Sequence, residues 1–167
     1  AVIASNPENG EVYLFYSSPS YNPNIFFDKN VGEKYGILVQ NENQPLLNRL
    51  TQALYPPGSV IKPFIALAAL AEDVITPQTT YEDTGIFKFG GIEFGNWYFL
   101  QYGKKEGPVN VEKAIMRSND IYFYQVGLKL GAPKMALWFD RFRLSASDLH
   151  PYFSQVPGLI PTDEWKK

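Results

Sequence analysis

The chain has 167 residues, 45% of them hydrophobic, which is one domain's worth of sequence with enough apolar side chains for a buried core. A net charge of −2, with no basic patch or charge run, argues against a nucleic-acid partner. The absence of cysteine and the presence of one histidine, His150, exclude disulfides, thiolate metal sites and a multi-histidine zinc centre, and no metal or cofactor is implied.

Ala1–Ser5 and Glu11–Ser17 read as strands joined by the turn Asn6-Pro7-Glu8-Asn9-Gly10. Ser18–Asn30 is a loop rich in Pro, Ser and Asn. Tyr35–Gln40 fits a short strand or a helix, and Leu46–Ala53 a helix. Ser59–Glu72 is the central helix, expected to be buried on most sides because it is nearly all apolar. Its longest apolar run, Phe64–Ala71, is far too short to cross a bilayer, and no signal peptide is visible. Within the Gly- and aromatic-rich stretch Thr76–Gly107, Phe87-Lys88-Phe89 and Ile92-Glu93-Phe94 alternate like hairpin strands. Helices follow at Val111–Arg117, with Asn110 as N-cap, at Ile121–Leu130, closed by Gly131 and Pro133, and at Lys134–Phe142. The tail is irregular, with His150 on the surface between Asp148 and Pro151. The fold class is α+β: a helical core with a small antiparallel sheet. Two early strands alone are marginal and leave open edges. The 12 Phe, 11 Tyr and 3 Trp mostly fill the core, although such residues also line clefts for extended ligands.

Tyr55-Pro56-Pro57-Gly58-Ser59-Val60-Ile61-Lys62-Pro63 carries the chemistry. A serine and a lysine three residues apart share one helix face, the S-x-x-K spacing. A serine hydroxyl is a weak nucleophile until a base takes its proton, and a neutral lysine amine in reach can do so. Burial disfavours the ammonium form, and Ile61, Phe64 and Ile65 are placed to bury Lys62. A helix starting at Ser59 aims free N–H groups at the reaction centre, and that of Ser59 itself is a candidate oxyanion donor. Pro63 is tolerable because it falls in the first turn. The rival reading is an exposed lysine on an ordinary helix capped by Ser59. Downstream, Ser118-Asn119-Asp120 follows a helical stretch and reads either as a cap, through Ser118 or Asp120, or as a second piece of a serine-acylation site.

Tyr55–Leu70, its continuation Val74–Thr80, the segment Val12–Asn24 and Asn48–Gln52 together resemble the nucleophile region of class B penicillin-binding proteins, the cell-wall transpeptidases. The resemblance covers Ala1–Leu144 and Gly158–Lys167. It implies a partial penicillin-binding-protein transpeptidase fold of the serine β-lactamase type, with a truncated sheet. It also implies Ser59 as nucleophile, Lys62 as base, Ser118 as second active-site serine and Asp120 as the third residue of the S-x-N motif. Asp replaces the usual Asn at that position, as elongation-type relatives accept, and a shifted register would give Asn119 a role against substrate instead. The third motif, K-[ST]-G, is absent: Lys104-Lys105-Glu106-Gly107 lacks the hydroxyl residue and precedes Ser118. The chain is therefore expected to be an incomplete transpeptidase domain spanning residues 1–167, cut from a longer protein. Arg143–Pro157 departs from the family, with Leu144–Pro151 standing where its Gly-rich wording usually is.

By that resemblance the parent cross-links peptidoglycan stem peptides, is acylated by β-lactams, and works with elongation proteins such as MreC and RodA. It would stand at the periplasmic face of the inner membrane on an N-terminal anchor helix. Two rivals remain from the sequence: a non-catalytic docking piece that binds MreC, and a class D β-lactamase-like sensor or hydrolase sharing S-x-x-K.

Overall fold

The computed structural model describes residues 1–147 and 154–162. His150 and its neighbours Asp148 and Pro151 lie outside the described residues. The chain divides into two compact units, one of Ala1–Tyr55 with Ser147–Gly158, the other of Pro56–Ala146 with Leu159–Lys167.

In the first unit, β1 (Val2–Ser5) and β2 (Val12–Tyr16) pair antiparallel, Val2 opposite Tyr16 and Ala4 opposite Leu14. The connection closes on itself because asparagine side chains imitate backbone acceptors. Asn6 Oδ1 takes the Glu8 N–H at 2.9 Å and Asn9 Oδ1 the Glu11 N–H at 3.0 Å. A 3-10 turn at Pro23–Phe27 is capped by Asn22. The segment left open between strand and helix is helical: α1 spans Val31–Val39.

The helix expected at Leu46–Ala53 does not form; the segment is a run of turns. Its backbone groups are taken by side chains, which compete with a helix ladder. Ser17 Oγ accepts the Arg49 N–H at 3.0 Å, Asn48 Oδ1 accepts that of Leu50 at 3.1 Å, and Gln52 Oε1 accepts that of Asn48 at 3.1 Å. The Arg49 guanidinium, at 2.7 and 3.1 Å from the carbonyls of Asn43 and Gln44, ties the turns together.

The second unit begins with a 3-10 turn, Gly58–Ile61, that passes into α2 (Lys62–Ala71). The expected α-helix from Ser59 is thus split. Pro63 has no N–H and so sits where an α-helix needs none, in its first turn, leaving the tighter turn to precede it. Next come β3 (Tyr81–Asp83), β4 (Ile86–Phe89), β5 (Ile92–Gly95), α3 (Trp97–Tyr102) and β6 (Gly107–Val109). Three further helices follow: α4 (Val111–Met116), α5 (Asp120–Leu130) and α6 (Ala132–Arg141). The hairpin read from Phe87–Phe89 and Ile92–Phe94 is present as β4–β5, and β3 pairs with β6. The architecture is α+β, its antiparallel pairing divided among three two-stranded pieces.

The core is α2 against α5, joined by Ile75, Val109, Val111 and Ala114. Ala66 and Ala69 give α2 a smooth face on which Tyr122, Phe123 and Val126 of α5 rest. Ala68 is buried as well, at 1% exposure, and α6 packs on a further side, so burial on most sides holds except along the stripe of Pro63, Leu67 and Ala71, where Leu67 is 54% exposed.

Asn110 caps α4 as expected, accepting the Lys113 N–H at 3.0 Å. Asn110→Ala should cost about 1 kcal/mol in urea unfolding. Between α2 and α6, Glu72 accepts from Lys134 at 2.8 Å and from Trp138 Nε1 at 2.9 Å. Lys134 first, then Trp138, hold its carboxyl below the ordinary value of 4.5. A lowered folded-state value stabilises above the unfolded value and fades as pH falls through the folded one. The melting-temperature gap between wild type and Glu72→Gln should therefore be open at pH 7 and close below pH 4.5.

Candidate active site

Ser59 occupies the second position of the 3-10 turn, with its side chain exposed. Gly58, at φ +56°, makes the reversal out of Pro56-Pro57, a conformation in which a side chain is costly. The Ser59 carbonyl accepts the Lys62 N–H, so turn and helix are continuous at this point.

Lys62 opens α2 and is buried, 7% exposed. Its Nζ donates to Ser118 O at 2.6 Å, to Ser118 Oγ at 3.1 Å and to Asp120 Oδ1 at 2.6 Å. An ammonium has three donors, and three acceptors meet them. The Phe123 ring lies 5.7 Å from the nitrogen. The sheltered pair is thus Lys62 with Ser118, while Ser59, expected inside the same shelter, stands exposed. Among the described residues no hydrogen bond joins Ser59 Oγ to Lys62.

The geometry of Ser118 follows from how α4 ends. The Ser118 N–H bonds Ile115 O at 3.1 Å and the Asn119 N–H bonds Ala114 O at 2.8 Å. This is the Schellman arrangement, whose turning residue takes a left-handed conformation and is usually glycine. Here it is Ser118, at φ +51°. A non-glycine residue held there costs on the order of 1–3 kcal/mol. The next helix starts at once: Asn119 Oδ1 accepts the Tyr122 N–H at 2.8 Å and caps α5. Capping therefore falls to Asn119, which leaves the side chains of Ser118 and Asp120 to face Lys62.

Asn119, weighed from sequence for a role against substrate, is instead completely buried, 0% exposed. Its Nδ2 donates to Asp83 at 2.7 Å. Asp83 is 1% exposed and also accepts the Gly85 N–H and Asn96 Nδ2, each at 2.7 Å. Asn96 Oδ1 in turn faces the Asp120 N–H at 3.4 Å. On the other side of the tripeptide, Trp97 Nε1 holds the Arg117 carbonyl at 2.9 Å. The Arg117 guanidinium lies 5.2 and 4.9 Å from the Trp97 and Tyr98 ring centres and bonds Glu106 at 2.7 Å. Sequence reading passed over Asp83, Asn96 and Trp97. Asp83 ends the three-residue β3, and Asn96 and Trp97 are the N-cap and first residue of the six-residue α3, elements too short to show a period, and the signal was polar residues scattered through an aromatic stretch. Tyr124, one turn along α5 from Asp120, has its phenol raised above the usual range, first by burial and then by the Asp120 carboxylate.

The penicillin binding protein transpeptidase domain family matches residues 1–167. The Escherichia coli K12 peptidoglycan D,D-transpeptidase MrdA is 35% identical over the whole of this chain, which spans 26% of that protein's length. The structure is similar to that of Pseudomonas aeruginosa PBP2 in complex with WCK 5153, with a TM-score of 0.84 and 36% identity over 98% of this chain and 37% of that one. It is equally similar to PBP2 in a complex with MreC from Helicobacter pylori, with a TM-score of 0.84 and 33% identity over 98% of this chain and 30% of that one.

Proposed function

Since the chain belongs to the penicillin-binding protein transpeptidase domain family, we propose that it carries the acylation centre of a peptidoglycan D,D-transpeptidase acting in cell elongation. The observation that carries this reading is the three-way engagement of Lys62 Nζ by Ser118 Oγ, Ser118 O and Asp120 at the root of the turn that bears Ser59. Ser59 Oγ attacks the carbonyl of a terminal D-Ala–D-Ala peptide, and its proton passes to the neutral Lys62 amine. Ser118 relays that proton to the nitrogen of the departing D-alanine as the C–N bond breaks. An amine from a second stem peptide then attacks the ester, the new amide forms, and the proton returns to Ser59. Asp120, bonded to Lys62 Nζ, holds the amine beside Ser118 and stabilises the ammonium that forms when it takes the proton. Asn119 contributes by fixing the backbone between the two reacting side chains rather than by touching substrate. No cofactor enters.

β-Lactams present a strained amide to the same hydroxyl, so penicillin is the probe. The protein carrying this chain is incubated with penicillin and digested, and the peptide containing Ser59 is weighed. The expected result is one penicillin added at Ser59 and none in Ser59→Ala. An unmodified Ser59 in a folded protein that also carries its K-[ST]-G strand defeats the reading. Slow release of the bound drug separates a transpeptidase from a β-lactamase-like hydrolase.

An MreC-type scaffold and RodA are the proposed protein partners, supported for the former by the similarity to PBP2 in its complex with MreC. Exposed aromatics such as Phe27, at 89% exposure, suit such docking. Binding that survives Ser59→Ala alongside penicillin labelling that does not would show docking and chemistry to be separate. The proposed location is the periplasmic face of the inner membrane; among the described residues no helix is long and apolar enough to cross a membrane.

A further inference from the structure

Asp83 is the most deeply placed carboxylate beside the site, and all its partners are donors: the Gly85 N–H, Asn96 Nδ2 and Asn119 Nδ2. The network has one consistent orientation. Asn119 must turn its oxygen toward the Tyr122 N–H to cap α5, which leaves its NH2 facing Asp83. Asn96 must turn its oxygen toward the Asp120 N–H, which again points an NH2 at Asp83. Both amides meet the same oxygen, Oδ2, while Oδ1 takes the Gly85 N–H, so a group with two acceptor oxygens is needed to satisfy all three donors at once. The residues so held are Asn119 and Asp120, the two that follow Ser118 in its left-handed conformation.

We propose that Asp83 is a positioning residue for the reaction. Through Asn119 and Asn96 it locks the Ser118–Asp120 segment in the strained geometry from which the Ser118 hydroxyl and the Asp120 carboxylate reach Lys62. This rests on the reading that Lys62 and Ser118 serve acylation at Ser59. Asn at position 83 keeps the shape but has one acceptor oxygen for the two places: toward Gly85 it sets its NH2 against both amides, toward the amides it sets its NH2 against the Gly85 N–H, and either way the segment is freer to relax toward ordinary backbone angles. The exchange Asp83→Asn with Asn119→Asp reverses that pair, although the Asn96 NH2 still meets the new amide. The carboxylate at 119 still caps Tyr122, aspartate being a good N-cap, and accepts from the new amide at 83.

The test measures the rate of acylation by a fluorescent penicillin in the protein carrying this chain, with melting temperature on the same samples. Asp83→Asn is expected to slow acylation about 10- to 100-fold, the penalty typical of misplacing a catalytic group through its supporting shell. The exchange should recover part of that loss, through the restored contact between positions 83 and 119. An acylation rate within about twofold of wild type in folded Asp83→Asn overturns the proposal, taking twofold as ordinary surface-substitution scatter. An exchange that regains the melting temperature but not the rate overturns it too, since the network would then serve stability alone. Should Asp83→Asn fail to fold, Asn96→Ala decides, with slowed acylation supporting the proposal and an unchanged rate overturning it. A wild-type protein that refuses the label defeats the Ser59 reading instead. In that case hydrogen exchange at the Asp120 and Tyr122 amides still decides, because faster exchange in Asp83→Asn supports positioning and equal protection refutes it.

Discussion

Lys62→Met is expected to slow penicillin labelling of Ser59 by about 10²–10⁴-fold, the usual contribution of a positioned acid–base group. It is expected to destabilise the protein as well, and the two effects share one cause. Lys62 Nζ bridges α2 to the start of α5, with acceptors at 2.6, 3.1 and 2.6 Å. Methionine fills similar volume without donors, so the Asp120 carboxylate and the Ser118 carbonyl lose their partner. Removing one member of a buried pair costs about 3–5 kcal/mol, and the lower figure applies because the Asp120 side chain retains 29% exposure. Ser59→Ala makes the contrast. It should lose labelling entirely yet shift stability by no more than about 0.5 kcal/mol, as for an exposed position. Labelling rates paired with urea unfolding of both variants check this, and a Lys62→Met protein that labels at the wild-type rate would remove lysine from the chemistry.

Gly85→Ala should be the most damaging single-methyl addition in the second unit, at about 2–4 kcal/mol from overpacking and left-handed strain together. Gly85 has φ +89°, and an added Cβ would stand 2.5 Å from the Phe99 ring and 3.0 Å from Phe99 Cβ. The nearer clash is with a ring already wedged on α3, and the other is with its root, which a rotamer change cannot move. Gly85 also donates its N–H to Asp83, so a shift of this turn reaches the site network. Gly90→Ala is the control. At φ +57° with nothing within 4 Å, it should cost only the conformational part, about 1–2 kcal/mol. Equal urea midpoints for the two variants would show that Phe99 gives way.

Much of the second unit was legible in the sequence because its helices carry their own punctuation. Asn110 before α4 and Gly131 after α5 mark ends that the structure keeps within a residue or two. The Ser59/Lys62 spacing and the tripeptide at Ser118 were likewise visible, since three-residue periodicity survives on paper. The meeting of Lys62 with Ser118 was not visible from periodicity: it depends on α2 and α5 packing through alanines. Leu46–Ala53 misled because its apolar spacing suits a helix while Ser17, some thirty residues earlier, captures its backbone. Asp83 stayed silent because its link to the site runs through partners 13 and 36 residues away.

The turning residue between α4 and α5 has a consequence for how such a protein can change. Glycine at position 118 would relieve the backbone and, judged by heat resistance alone, would be an improvement; it would also delete the hydroxyl that touches Lys62. Selection for robustness and selection for turnover therefore pull this one codon in opposite directions. A relative that keeps the fold without the proposed acylation chemistry should drift toward glycine or asparagine there, so the identity of that residue is a readable sign of whether the chemistry is retained.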